Sequence, residues 1–384
     1  MQFPVYLDHA ATTPIAPEVA EAMAPYLSSR FGNPSSLHSV GAEAREGIEA
    51  ARASVADALG ADPDEIVFTG GGTEADNLAV KGACLAAYGK RRHVLVSAIE
   101  HHAVLDSARS LRVLGFDVET IPVDCTGRVS AEDVERRLRP DTALVSVMTA
   151  NNEVGTIQPI EEIAAVCRAR GALFHSDAVQ AFGQLDLNVR RLGVDLLSIS
   201  AHKVYGPKGV GALYVRRGVR IAPLLDGGGQ ERGLRGGTHN VAGIVGMHAA
   251  VRGLRRGQTE ERARIAILRD RLVAAVLAET PGARLSGHPV DRLANNAHFC
   301  FPQIEGEALL LALDADGICA SAGSACSSGS TEPSHVLMAM GVDRDVARGA
   351  LRVTLGRGTT REQIDYAAGR IIAHVAELRA LRRL

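Results

Sequence analysis

Glu65-Ile66-Val67-Phe68-Thr69-Gly70-Gly71-Gly72-Thr73-Glu74-Ala75 decides the fold of this chain. A short apolar run rich in β-formers meets a glycine turn, and a helical pattern from about Thr73 to Tyr88 starts directly behind it. A strand that feeds straight into a helix is the building unit of a parallel sheet, because parallel neighbours need a crossover between them. The same alternation continues outward. His93-Val94-Leu95-Val96 reads as a strand, 103–114 as a helix, Val118-Glu119-Thr120-Ile121 as a strand and 130–138 as a helix. Ala143 to Met148, the helix 160–170, Ala172-Leu173-Phe174-His175, Asp195 to Ile199 and a hairpin partner, Gly211 to Val215, complete the series. Upstream, residues 39–59 read as a helix behind an extended N-terminal arm.

This pattern predicts an α/β protein with a mainly parallel sheet covered by helices, whose ligands sit outside the carboxyl ends of the strands. From about 258 onward a long Arg- and Ala-rich helix leads into a strand-and-helix mixture that ends in a helix over 360–382. The expected division is a large domain over 15–257 and a smaller α+β domain over 258–384, joined by the arm 1–14.

Bulk composition narrows the function. Of the 384 residues, 46% are hydrophobic and 22% charged, as in ordinary globular proteins. A formal net charge of −2 offers nothing to nucleic acid or a membrane surface. With aromatics at 4% and no Trp, broad base-stacking platforms are not expected. No apolar run approaches the roughly 18 residues of a membrane span. Met1-Gln2-Phe3-Pro4-Val5-Tyr6 lacks a basic region followed by an apolar core, so the expectation is a cytoplasmic protein. Cys84, Cys125, Cys167, Cys300, Cys319 and Cys326 form no Cys-x-x-Cys pair, which favours free thiols over a structural zinc site.

Only four of the 42 basic residues are lysines: Lys81, Lys90, Lys203 and Lys208. Two of them fall in Ser198-Ile199-Ser200-Ala201-His202-Lys203-Val204-Tyr205-Gly206-Pro207-Lys208-Gly209, just past an apolar strand. A partly desolvated lysine there suits Schiff-base chemistry, and Ser200 and His202 are placed to hold a phosphate. Gly72 and Thr73 open a helix, whose exposed N–H groups and dipole attract anions, although most bare glycine turns are only tight turns. Asp177, in Phe174-His175-Ser176-Asp177-Ala178-Val179-Gln180, follows a buried strand; it is either a helix cap or the partner of a protonated pyridine nitrogen. Glu100-His101-His102 and Asn151-Asn152-Glu153 fall at the same sheet edge. A histidine pair alone is a poor metal site, since adjacent side chains diverge and no third ligand is evident.

Two further segments stand out. Ser321-Ala322-Gly323-Ser324-Ala325-Cys326-Ser327-Ser328-Gly329-Ser330 sets one cysteine among small residues, the setting of a nucleophile that must travel. Leu351-Arg352-Val353-Thr354 sets an arginine in an apolar strand, where it must meet a substrate carboxylate or an internal acid.

Together these motifs, with Tyr6-Leu7-Asp8-His9-Ala10-Ala11-Thr12-Thr13, Gly32-Asn33-Pro34-Ser35-Ser36 and Gly227-Gly228-Gly229-Gln230-Glu231-Arg232, resemble the cysteine desulfurases of the NifS/IscS type over nearly the whole chain. The resemblance implies the aspartate-aminotransferase-like fold (fold type I), a homodimer and pyridoxal 5'-phosphate as cofactor. It makes Lys203 the Schiff-base lysine and Lys208 a structural residue of the motif. Asp177 would face the pyridinium nitrogen, Gln180 the phenolic oxygen, and His101 would stack on the ring. Gly72, Thr73, Ser200 and His202 would hold the phosphate with Thr238 of the other subunit. Asn152 would stand at the cofactor edge, Arg352 would take the substrate carboxylate, and Cys326 would carry the persulfide.

The implied reaction converts L-cysteine to L-alanine and passes sulfur through Cys326 to an acceptor protein. An iron–sulfur scaffold, a tRNA-thiolating enzyme and a thiocarboxylate carrier all remain open as that acceptor. The chain ends at Arg379 to Leu384, without the longer tail some relatives use for docking a scaffold. Two other readings compete: a different pyridoxal-phosphate enzyme, such as a selenocysteine lyase or aminotransferase, and a non-catalytic sulfur-relay or scaffold protein.

Overall fold

The computed structural model describes residues 3–254, 258–323 and 333–382. Its strands, in chain order, are β1 (Val5–Tyr6), β2 (Ile66–Thr69), β3 (His93–Ser97), β4 (Asp117–Ile121), β5 (Thr142–Ser146), β6 (Leu173–Asp177), β7 (Leu196–Ser200), β8 (Gly211–Val215), β9 (Arg284–Leu285), β10 (Asn296–Cys300), β11 (Ile318–Cys319) and β12 (Ala350–Thr354).

A seven-stranded sheet runs in the order β2-β8-β7-β6-β5-β3-β4. Pairs from β7 across to β4 are parallel, and β8 alone runs antiparallel to both its neighbours. The hairpin expected of Gly211 to Val215 is therefore present, wedged between β7 and β2. Apolar residues fill the central strands because helices cover both faces. Leu197 and Ile199 of β7, with Ala212 and Tyr214 of β8, point into a core shared with Ile48, Val55, Ile163, Ile244 and Met247. Leu196, Leu213 and Val215 point the other way, to Leu78, Ala79, Val104 and Ala108. This two-residue alternation fixes the register, since a slip of one residue would exchange the faces.

The helix expected over 39–59 spans Ser39–Leu59 and ends at Gly60, which takes the left-handed conformation (φ 63°) that helix termini favour. Two helices depart from the expected pattern. Pro17–Met23 is helical just past the arm, where a proline at the first turn costs no hydrogen bond. Val241–Leu254 packs against Ser39–Leu59 and is buried on most of its circumference, so it carries no polar face to betray its period.

The C-terminal part builds a three-stranded antiparallel sheet, β12-β10-β9, against the helices Gln258–Glu279 and Arg361–Leu381. Its apolar core, including Leu272, Phe299, Leu313, Val353 and Ile371, takes in Val5 and Leu7 from the arm, and β1 pairs in parallel with β11. Among the described residues no helix is long and apolar enough to cross a membrane.

Candidate active site

The carboxyl ends of β2, β3, β5, β6 and β7 open at one edge of the large sheet, and the sequence places a polar residue just past each. β7 ends at Ser200 and turns into the short 3-10 segment Ala201–Lys203. Lys203 Nζ donates to the carbonyls of Ala10 (2.6 Å) and Ala11 (2.7 Å), and the Gln180 amide donates to the same Ala10 carbonyl (2.9 Å). The N-terminal arm thus forms one wall of the site.

Beside Lys203, the turn after β2 enters the helix Gly72–Ala86 through Gly71, whose φ of 147° favours glycine. Gly72 is equally constrained, because a Cβ there would stand 2.8 Å from Val179 Cγ2 and 3.5 Å from the Ser200 Cβ. The first-turn N–H groups of this helix have no intrahelical acceptors. Ser200 Oγ faces the same space, buried and without a hydrogen-bond partner among the described residues. His202 Nδ1 lies 3.2 Å from Thr12 Oγ1; burial, then the charges of Lys203 and Lys208, hold its pKa down at about 4, so the ring is neutral.

Below lies a layer of buried carboxyls. Asp177, at the end of β6, accepts the Val179 N–H at 2.8 Å; burial raises its pKa to about 6, while that N–H and the charge of Lys203 oppose the rise. Asp76, on the helix Gly72–Ala86, is raised well above the ordinary carboxylate range by burial and by Asp177. Glu100 is pushed up to about 8 by burial, against hydrogen bonds from Ser97 and Met148. His175 lies between Ser146 Oγ (2.8 Å) and Ser198 Oγ (3.0 Å), kept neutral by burial, which lowers its pKa to about 3.

The opposite wall carries histidines and an arginine. His101 caps the helix His102–Ser110 by accepting the Ala103 N–H at Nδ1 (3.1 Å). Burial and nearby Lys203 lower its pKa to about 4, so the neutral ring keeps its proton on Nε2. His335 Nε2 meets the Glu100 carbonyl at 3.0 Å, and its ring centroid lies 4.8 Å from that of His102. Arg352 is 2% exposed; Nη2 donates to Asp8 Oδ1 (2.9 Å), and Nη1 to the carbonyls of Asn152 (3.0 Å) and Gly323 (2.6 Å). The internal acid anticipated for this arginine is therefore Asp8. Nε of Arg352 is left without a partner among the described residues.

Ten residues singled out in the sequence, Gly72, Thr73, His101, Asn152, Asp177, Gln180, Ser200, His202, Lys203 and Arg352, line one cavity of about 260 Å³. Thr238 is exposed and does not line it. Cys326 lies outside the described residues. Ala10, Ala11, Asp76, Met148, Gly323 and His335 also line the cavity, though nothing in the sequence assigned any of them a role in the site. Ala10 and Ala11 act through backbone carbonyls, which residue identity does not advertise, and Asp76 reads, with Glu74, as an ordinary acid in the first turns of a helix.

The donor set fits pyridoxal 5'-phosphate. An orphaned buried hydroxyl at Ser200 and the N-terminal turn of a helix suit a phosphate; a buried carboxylate suits a pyridinium; and the Lys203 amine lies within the same cavity.

The family model described as aminotransferase class-V matches residues 5–367. A protein of Dictyoglomus turgidum named cysteine desulfurase IscS is 49% identical over 99% of this chain and 97% of its own length. Among solved structures, a NifS-like protein superposes with a TM-score of 0.92 at 40% identity, covering 98% of this chain and all of the other (100%). A second, titled SspA in complex with cysteine, superposes with a TM-score of 0.82 at 37% identity, covering 92% of this chain and 99% of the other. The chain belongs to the aminotransferase class-V family, within its NifS/IscS cysteine desulfurase group.

Proposed function

We propose that this protein is a pyridoxal-phosphate-dependent cysteine desulfurase that forms L-alanine from L-cysteine and passes the sulfur to an acceptor by way of Cys326. The observation that carries this reading is the convergence of Lys203, Asp177 and Arg352 on one cavity beside a glycine-bounded helix N-terminus. The named relative and the neighbour titled with cysteine support the choice of substrate.

Gly72, Thr73, Ser200 and His202 would hold the cofactor phosphate, Asp177 its ring nitrogen and Gln180 its phenolic oxygen, with His101 over the ring and Asn152 at its edge. When bound, the cofactor supplies an electron sink for charge developing at the substrate Cα. Arg352 binds the substrate carboxylate through a guanidinium already aimed by Asp8 and two carbonyls. Lys203 Nζ takes the Cα proton and later returns a proton to the product. The Cys326 thiolate bonds to the substrate sulfur as the carbon–sulfur bond breaks, leaving a persulfide on the enzyme and releasing alanine. A second thiolate then takes the terminal sulfur.

The same reading makes the protein a cytoplasmic homodimer in which Thr238 of the second subunit completes the phosphate site. The division into a large domain over 15–257 and a smaller one over 258–384 with the arm 1–14 is part of the proposal. Phe31 and Leu37, 75% and 97% exposed, suit burial against a second copy. Five cysteines are unpaired among the described residues, in keeping with a reducing compartment. The acceptor would be an iron–sulfur scaffold or a tRNA-thiolating enzyme.

The test is cofactor retention with alanine release on addition of L-cysteine. Alanine formed in step with enzyme-bound sulfur supports the proposal; a keto acid with an aminated cofactor would make the protein an aminotransferase instead.

A further inference from the structure

The mechanism uses Asp177 and leaves two other carboxyls of the same buried layer without a task. Asp76, Glu100 and Asp177 are 1%, 0% and 5% exposed. Like charges this close, in a site stripped of water, do not ionise together. The charge settles where donors stand. Asp177 has the Val179 N–H at 2.8 Å and feels the charge of Lys203. Glu100 Oε1 accepts from the Met148 N–H (2.7 Å) and the Ser97 hydroxyl, but its Oε2 has no partner among the described residues. Asp76 Oδ1 likewise has none.

The groups that face Asp76 are Asp177 and Glu100, both of which repel an added negative charge, the Ser198 hydroxyl, which favours one, and His175. His175 Nε2 stands 3.7 Å from Asp76 Oδ1, beyond hydrogen-bond reach, and is already engaged by Ser198 Oγ at 3.0 Å. Among the described residues no Lys or Arg answers Asp76, yet it lines the cavity beside Asp177.

We propose that Asp76 is a neutral carboxylic acid in the working enzyme, a positioning residue that leaves Asp177 as the single negative charge of the buried layer. A protonated Asp76 keeps its hydrogen bond with the Ser198 hydroxyl without adding charge to the layer. The electrostatic pull on a ring nitrogen above Asp177 is then set by one carboxylate, whose proton Asp76 does not contest.

This inference rests on the proposed placement of the cofactor over Asp177, and its test separates the two. Absorbance of the bound cofactor is titrated with pH in the holoenzyme and in Asp76→Asn and Asp76→Leu. Asp76→Asn keeps a neutral polar partner for Ser198, so its titration should overlay the unsubstituted protein; Asp76→Leu removes that partner and should shift the midpoint by about one unit. A shift of that size in Asp76→Asn, which would mean that a charge had been removed, overturns the proposal, as does an unshifted Asp76→Leu. Infrared spectra decide the protonation directly and need only Asp76→Asn to fold. Loss of a deuterium-sensitive protonated-carboxyl band in Asp76→Asn supports the proposal; an unchanged band pattern means an ionised Asp76 against a charged His175 and overturns it. If the unsubstituted protein shows no cofactor band, the cofactor reading fails while the infrared result still assigns the Asp76 proton.

Discussion

Arg352 Nη2 donates to Asp8 Oδ1 at 2.9 Å, across 344 residues of sequence. The bond ties the last strand of the small sheet to the N-terminal arm, whose next residues, Ala10 and Ala11, hold Lys203 Nζ through their carbonyls. The arm therefore sets both the group proposed to bind the substrate carboxylate and the group proposed to move its proton. An arginine 2% exposed needs such a partner, because a buried guanidinium without an acceptor is costly.

Arg352→Lys keeps the charge but loses the planar fork that holds Asp8, Asn152 and Gly323 at once. The KM for L-cysteine should rise by about tenfold or more, the worth of a charge-assisted hydrogen bond, with a smaller change in kcat. Steady-state kinetics over a wide cysteine range separate the two.

Lys203→Ala removes the amine and should lower kcat by about a thousandfold or more, in the range ascribed to a positioned general base. The fold should survive, since the Lys203 amine donates to two backbone carbonyls at the wall of the cavity. Circular dichroism and thermal melting check that the loss is chemical.

Gly72→Ala would put a Cβ 2.8 Å from Val179 Cγ2, beside the helix N-terminus proposed to hold the phosphate. Relief requires the Val179 side chain, two residues past Asp177, to shift. Cofactor affinity should fall about tenfold or more through overpacking, read as the cofactor concentration that half-restores absorbance to the apoprotein.

Glu231 tests stability away from the site. Its carboxylate takes Arg52 bidentately (2.8 and 2.9 Å), the Phe68 N–H (2.8 Å) and His239 (2.7 Å), and it anchors a turn in which Glu231 and Arg232 hold left-handed φ values of 46° and 58°. Burial alone would raise its pKa; the hydrogen bonds from Arg52 and His239 and the charge of Arg52 outweigh it and depress the value from 4.5 to about 2. A depressed folded pKa means a contribution fully present above 4.5 and lost as pH falls toward 2. Glu231→Gln should cost about 3 kcal/mol at pH 7, by leaving Arg52 buried and unpaired, and should flatten the acid limb of stability against pH. Denaturant melts at a series of pH values supply both numbers.

Much of this was legible in the sequence because the chemistry sits where elements change. The strand-to-helix switch at Gly70–Gly72 marked the helix N-terminus now proposed to hold a phosphate, though a glycine turn alone is more often only a turn, and scarcity made Lys203 conspicuous in a chain that otherwise uses arginine. Arg352 in an apolar strand demanded an acid, but nothing in the sequence named Asp8 as one; the return of the arm beside β12 brings it there. The helix Val241–Leu254 escaped because a segment buried nearly all round has no polar stripe. Asp76 escaped for another reason: its burial beside Asp177 depends on helix Gly72–Ala86 lying against β6 and β7, a tertiary relation that spacing does not encode.

The most direct measurement is intact mass after incubation of the holoenzyme with L-cysteine in the absence of reductant, with alanine assayed in the same sample. The expected result is a gain of one sulfur mapped to Cys326, with equivalent alanine, and loss of both in Cys326→Ser while cofactor absorbance persists. Full alanine and sulfide release from Cys326→Ser, or no alanine from a cofactor-loaded enzyme given both cysteine and a thiol acceptor, would contradict it.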